Sequence, residues 1–324
     1  MPLTMEGLWK AYERPSKGNV STNTIHPAPM SQSPLTIAAN IVRGALIGMA
    51  ELVPGISGGT VALVVGIYER ALHNGNALLR RKFSQVDWFF LAAVGVGMVT
   101  AVFTMSTVMH TFVEENTEYA RGLFLGMVTV SIWVPLAMMD PRDVRKRGWV
   151  LGLVFVLAAA LSFFATGFTS APQTNPSLIV IFLAASIAIC ALVLPGISGS
   201  FFLMAVGLYS PVMGAISDRN WTVILTFAAG ALLGIILFIR LLTKAMERYR
   251  SLTLTVMAGL MLGSLRALWP WQSPDAELLA PGDNLLPIVG LAVLGGAIVL
   301  AFIIADRVAS ARSDSDVVSE TQPN

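Results

Sequence analysis

ELVPGISGGT (residues 51–60) and LVLPGISGSF (residues 192–201) place the same Pro-Gly-Ile-Ser-Gly run twice, 141 residues apart, inside strongly apolar sequence. Proline in a helix interior removes a backbone hydrogen bond and glycine weakens what remains, so each run predicts a broken helix. The surroundings are those of a membrane protein. Of 324 residues, 55% are hydrophobic and 12% charged, where a soluble domain carries about 25% charge. Mean hydropathy is +0.71, and apolar stretches near 20 residues recur, the length that crosses a hydrocarbon core of roughly 30 Å. Irregular backbone at membrane depth is tolerated only where protein buries it or it lines a polar cavity. The two runs therefore mark either packing points or a site.

Working outward, apolar segments fall at 35–53, 60–72, 87–113, 117–139, 149–169, 177–194, 200–217, 221–243, 252–271 and 285–306. Basic residues gather at Arg80-Arg81-Lys82, at Arg142 with Arg145-Lys146-Arg147, at Lys244 with Arg248 and Arg250, and at Arg307. The connections 114–118, 169–177 and 273–284 lack them. Basic loops favour the cytoplasmic side. With those loops inside, 35–72 leaves and returns on the inner face and 177–217 on the outer face. Two helix–break–helix hairpins are thus expected to enter from opposite sides, and the alternative is that all four arms span fully. Both termini are expected in the cytoplasm.

The duplication extends beyond the hairpins. Gly66 and Tyr68 match Gly207 and Tyr209 at the same spacing, and GLFLG (122–126) matches GLMLG (259–263). The expected class is an all-α polytopic membrane protein with two inverted repeats, each a re-entrant hairpin plus two transmembrane helices. The division is a flexible cytoplasmic tail (1–34), a first repeat (35–139), a basic loop and connecting helix (140–176) and a second repeat (177–271). An outer loop with a final helix (272–307) and a disordered cytoplasmic tail (308–324) complete it. Inverted repeats whose broken helices meet near the midplane are the pattern of secondary transporters.

At each break Pro54-Gly55 and Pro195-Gly196 end the incoming arm, and Gly58-Gly59-Thr60 and Gly199-Ser200 open the next helix. Ser57 and Ser198 are suited to cap that helix, their hydroxyls accepting from free N–H groups. A helix start with free donors favours an anion. Two starts facing one another would make a seat for a phosphate or carboxylate; glycine-eased kinks are the plainer reading. Charge inside apolar segments narrows the choice, because an intramembrane ion costs at least about 2.5–3.5 kcal/mol. Arg43 and Glu51 lie two turns apart on the first arm, and Arg266 sits beside Trp269 in a later segment. Glu51 is placed for coupling or gating, or forms a structural pair with Arg43. Arg121 and Arg70 read as snorkelling residues. The single cysteine, Cys190, excludes an intramolecular disulfide and a thiolate metal site; no metal, cofactor or nucleic-acid partner is expected.

These residues carry a resemblance. RGALIGMAELVPGISGGTVALVVGIYERAL (43–72), RGLFLGMVTVSIWVP (121–135) and AICALVLPGISGSFFLMAVGLY (188–209) resemble the bacterial and archaeal polyprenyl-phosphate transporter family (PopT type) over roughly residues 35–306. The resemblance implies a plasma-membrane flippase that returns undecaprenyl phosphate or a related polyprenyl monophosphate from the outer to the cytoplasmic leaflet, recycling the carrier for envelope synthesis. It implies no enzyme activity. The phosphate would fall to Arg43, Ser57, Gly58, Gly59, Thr60, Ser198, Gly199, Ser200 and Arg266. Leu192 and Ala184 stand where the second copy would repeat Glu51 and Arg43, so charge handling is expected in the first hairpin.

Two rivals stay open on the residues alone. One is an inorganic-anion channel or exchanger. The other is an intramembrane serine hydrolase, because GISG around Ser57 echoes a rhomboid-type nucleophile; it would need a base in reach, and His26, His73 and His110 are the histidines available.

Overall fold

The structure, a computed structural model, describes residues 34–51, 57–168, 173, 176–196, 198–273 and 276–320. Nearly all of the expected amino-terminal tail lies outside the described residues, as do Pro54 and Gly55. Among the described residues six helical stretches are long and apolar enough to cross a membrane: Trp88–Met105, Thr117–Ala137, Pro141–Ala165, Trp221–Arg248, Arg250–Leu268 and Leu285–Ile304. They belong to helices α4 (Trp88–Glu115), α5 (Thr117–Ser131) with its short continuation α6 (Trp133–Ala137), and α7 (Pro141–Ala165). The others are α11 (Trp221–Arg248), α12 (Arg250–Ser264) extended by a 3-10 turn, and α13 (Leu285–Glu320). The chain is an all-α polytopic membrane protein. α13 continues through the segment expected as a disordered tail, as far as Glu320.

The hairpins fill the gaps. The first comprises α1 (Pro34–Glu51), α2 (Gly58–Val64) and α3 (Tyr68–Leu79); the second comprises α8 (Leu178–Val193), α9 (Gly199–Ala205) and α10 (Tyr209–Ser217). α8 has 16 residues, about 24 Å at 1.5 Å per residue, short of a full crossing. The return arm of each hairpin is not the one helix read at 60–72 and 200–217. It breaks again at Gly66 and Gly207, whose φ values of 74° and 70° lie where a Cβ is strained. The repeated Gly-x-Tyr was the signal for this second break.

Packing follows the same scheme twice. α1 lies along α4, and α8 along α11. A Cβ on Gly44 would meet Val94 and one on Gly48 would meet Met98, so α1 and α4 run side by side in one sense. Gly230 meets Phe182 and Gly234 meets Ser186 in the equivalent seam, and the Ser186 hydroxyl donates to Gly230 O at 2.8 Å. Lipid tails give no hydrophobic drive between helices, so small residues that let backbones touch hold such seams. The GLFLG and GLMLG glycines serve the other two pairs. Gly122 and Gly126 take α13 at Ile288 and Ala292, while Gly259 and Gly263 take α7 at Phe155 and Ala159. Each half thus lends its last helix to the other.

On the side of the basic loops, α3 is tied to the start of α4. The Asp87 carboxylate accepts from Phe90 N at 3.0 Å and from Arg70 at 2.5 Å, while Asn74 Oδ1 accepts from Asp87 N at 2.6 Å. The Arg70 guanidinium also lies 4.4 Å from the Phe90 ring centre. Arg70, expected to snorkel, is therefore committed to tying α3 to α4. Partial burial pushes the Asp87 carboxyl up, but the Phe90 N–H and the bond and charge of Arg70 outweigh it and hold the group below its ordinary range. Its contribution is full at neutral pH, above the unfolded carboxyl's pKa, and fades as pH falls through the depressed one. Asp87→Ala is expected to lower stability by about 1–2 kcal/mol, the loss of a helix cap, with the deficit shrinking below the ordinary carboxylate range. Thermal unfolding in detergent across pH checks it; an unchanged midpoint at neutral pH would contradict it.

Candidate functional site

The two breaks meet. Three side chains of the first hairpin reach the backbone of the second. The Ser57 hydroxyl, 3% exposed, donates to Leu192 O at 3.2 Å and Leu194 O at 3.0 Å. The Tyr68 hydroxyl donates to Val193 O at 3.2 Å. Thr60 Oγ1 accepts from Gly196 N at 3.0 Å. These carbonyls belong to the last turn of α8 and have no partner within their own helix. A buried polar group without a partner is costly, so the first hairpin completes the second. Gly59 makes the approach possible, because a Cβ there would fall 2.5 Å from Val193 O. Gly196 turns the chain at φ 90° against the backbone of Met261.

The expected serine caps are not formed. Neither Ser57 nor Ser198 caps the helix it precedes. Ser57 is spent on the opposite break, and the Ser198 hydroxyl lies 2.9 Å from that of Ser200. The amide at the start of α2 finds a different acceptor: Gly58 N donates to Glu51 Oε1 at 3.1 Å. Glu51 reaches back across the break and holds the amide that the sequence offered to a phosphate. Glu51 is nonetheless an exposed residue. A Cβ on Gly58 would lie 2.1 Å from Glu51 Oε1, so a side chain there would displace the carboxylate from the amide.

Arg43 Nη1 donates to Asn40 Oδ1 at 3.2 Å, one turn back toward the start of α1. Arg43 Nη1 and Glu51 Oε1 thus reach separate partners. Gly199 packs its backbone on Ala188 O, where a Cβ would lie at 2.6 Å. Pro195 is fully buried. Arg266 is held elsewhere. Its guanidinium lies 4.8 Å from the Phe163 ring centre and against Gly167, and Nη2 donates to Ala276 O at 3.4 Å. Those contacts stitch α12 to the end of α7 and to the loop before α13.

The structure therefore gathers Glu51, Ser57, Gly58, Gly59, Thr60 and Gly196 at one junction, with Ser198, Gly199 and Ser200 opening the helix beyond it. Arg43 lies two turns down α1, and Arg266 binds a different seam. Tyr68 is the residue sequence reasoning missed. Its match to Tyr209 was legible, but nothing local said that its hydroxyl would reach the other copy's broken backbone. Among the described residues no group of His, Cys, Asp and Glu could hold a metal ion.

A family model described as undecaprenyl phosphate translocase-like matches residues 47–282, which takes in both breaks. A polyprenyl-phosphate transporter of Vibrio cholerae serotype O1 is 30% identical over 257 residues, 75% of this chain and 81% of that protein. A polyprenyl-phosphate transporter of Staphylococcus aureus is 28% identical over 245 residues, 71% of this chain and 86% of that protein. No solved structure matches the chain.

Proposed function

This chain belongs to the undecaprenyl phosphate translocase-like family, and from that premise we propose that it carries a polyprenyl monophosphate across the plasma membrane, from the outer to the cytoplasmic leaflet. It does so as a secondary transporter and not as an enzyme. The observation that carries the reading is the junction of the two breaks, with the Glu51 carboxylate bonded across one of them. A phosphate head crossing hydrocarbon must exchange its water for charge-assisted hydrogen bonds. Glu51 holds the Gly58 amide, and an incoming phosphate takes that amide as Glu51 swings away or gains a proton. Gly59, Thr60 and the Ser198-Gly199-Ser200 start line the same place, and Arg43 receives the head on the side of the basic loops.

An inverted duplication explains how the junction opens to each side in turn. α1 runs in the same sense as α4, and α8 in the same sense as α11; with the basic loops on the cytoplasmic side, α4 and α11 cross in opposite directions. On this reading the hairpins enter from opposite faces, with both termini cytoplasmic, and each repeat takes in the last helix that it lends to its partner. Rocking of one half against the other alternates access.

The hydrolase reading is disfavoured at Ser57 itself. Its proton is shared between two carbonyls, neither of which is a base that could activate a nucleophile. The test of both points is leaflet exchange of a labelled polyprenyl phosphate in sealed proteoliposomes. The wild type should move the lipid well above empty vesicles, and Ser57→Ala should keep that movement while losing about 1–3 kcal/mol of stability from the orphaned carbonyls. No lipid exchange, in vesicles that pass a small anion, would point instead to an anion channel.

A further inference from the structure

Two cavities that share Val64 lie beside the return arm of the first hairpin, and neither is lined by Glu51, Ser57 or Gly58. The first is a cavity of about 220 Å³ between α1, α2, α5 and α13, walled by groups such as Leu46, Met49, Phe124, Met127 and Phe302. Both of its hydroxyl residues are engaged by backbone. Thr60 Oγ1 holds the Gly196 amide, and the Ser131 hydroxyl donates to Met127 O at 2.7 Å. The interior is hydrocarbon, and it exceeds an engineered apolar cavity of about 150 Å³ that takes benzene. Methionine and phenylalanine walls suit a flexible apolar guest.

The second cavity, about 380 Å³, opens further toward the basic loops, between Gly66, Tyr68, Glu69, Trp133 and Arg250. Here the walls are mixed and carry one ion pair. Arg250 Nη2 lies 2.7 Å from Glu69 Oε1, with the two side chains 41% and 45% exposed. Val64 belongs to both walls, packed with Val299 and Ile303. The steps from Thr60 to Val64 and from Val299 to Ile303 are each one turn of helix, about 6 Å.

We propose that the two cavities form a second lipid-phosphate site on the side of the basic loops: the phosphate head rests on Arg250 and the first isoprene units pass over Val64 into the apolar cavity. This rests on the transport reading and adds to it the place where the carried lipid is held in the cytoplasmic leaflet. The order of the cavities is the order of a lipid in that leaflet, with charge toward the basic loops and hydrocarbon toward the midplane. A bare inorganic anion has no use for the apolar cavity, and an ordinary apolar guest has none for Arg250. Glu69 is the internal competitor. Its carboxylate pairs with Arg250, as Glu51 holds the Gly58 amide, and an arriving phosphate displaces it.

The test places a photoreactive amino acid at Phe302, in the wall of the apolar cavity, in protein reconstituted with radiolabelled undecaprenyl phosphate. Capture of label at this position should be competed by unlabelled polyprenyl phosphate and not by phosphatidylglycerol. Arg250→Gln should weaken capture about tenfold, the loss of one charge-assisted contact, and Glu69→Gln should strengthen it by freeing Arg250. Because both side chains are part-exposed, neither change threatens the fold. Capture that phosphatidylglycerol competes equally, or that both variants leave unchanged, overturns the site. Leaflet exchange on the same wild-type protein separates the failures. Exchange without capture at Phe302 sinks this site alone, whereas capture without exchange leaves a lipid-phosphate site and sinks transport.

Discussion

Glu51→Gln is expected to abolish leaflet exchange of the lipid phosphate while leaving the protein folded and inserted. Glutamine keeps the size of the side chain and an oxygen that can still accept from Gly58 N, which lies 3.1 Å from Glu51 Oε1. The break therefore keeps its shape. The negative charge and the titratable proton disappear. If Glu51 works by yielding the Gly58 amide to a phosphate and reclaiming it afterwards, a neutral amide side chain cannot drive the second step. The expected loss is about 10–100-fold or more, the scale of one charged hydrogen bond. Arg43→Ala should lose exchange on the same scale, and Arg43→Lys should restore only part of it, because an ammonium cannot hold a phosphate with a planar fork. Exchange rates in proteoliposomes, normalised to inserted protein, decide the matter. Wild-type rates in Glu51→Gln and Arg43→Ala would remove both residues from the mechanism.

The membrane class and the six spans were legible because hydropathy at helical length has few other readings. The two helix–break–helix elements were legible from the repeated break, while the side from which each enters rests on the basic loops alone. What stayed hidden depends on the meeting of segments distant in sequence. Ser57 has the spacing of a helix cap, yet its hydroxyl goes to Leu192 O and Leu194 O; a cap is a local bargain, and a buried orphan carbonyl from the other half outbids it. Arg266 reads as an intramembrane charge in search of a substrate, but Gly167 and the Phe163 ring receive it. Tyr68 and the Glu69–Arg250 pair carried no local signal, since Glu69 and Arg250 come together across 181 residues. The glycines behaved differently. GLFLG and GLMLG were matched as words, and their shared function, taking the last helix of the opposite half, is visible only once the seams at Ile288 and Phe155 are known.

Gly59→Leu should be the most damaging single substitution at the junction, and its effect discriminates between a kink and a closed interface. An eased kink needs glycine for flexibility and tolerates a side chain that points into space. At Gly59 there is no space: a Cβ would lie 2.5 Å from Val193 O and 3.2 Å from Ser57 Oγ. The nearer atom is backbone of a helix end that Ser57 and Tyr68 already hold, so the two breaks would have to part. Parting them strips Leu192 O, Val193 O and Leu194 O of their donors together, each loss worth about 1–3 kcal/mol. Overpacking adds about 1–3 kcal/mol. Transport should fall to the level of empty vesicles, with a lowered unfolding temperature in detergent. Gly95→Leu is the matched control, because that glycine sits in a spanning helix with nothing within 4 Å of a built Cβ, and it should be silent. Thr60→Val lies between them: the shape is kept, but the Gly196 amide loses its acceptor, so stability should drop by about 1–3 kcal/mol with partial exchange retained. Were Gly59→Leu to transport like Gly95→Leu, the contact between the breaks would not be part of the working cycle, and the anion seat would have to be sought in one hairpin alone.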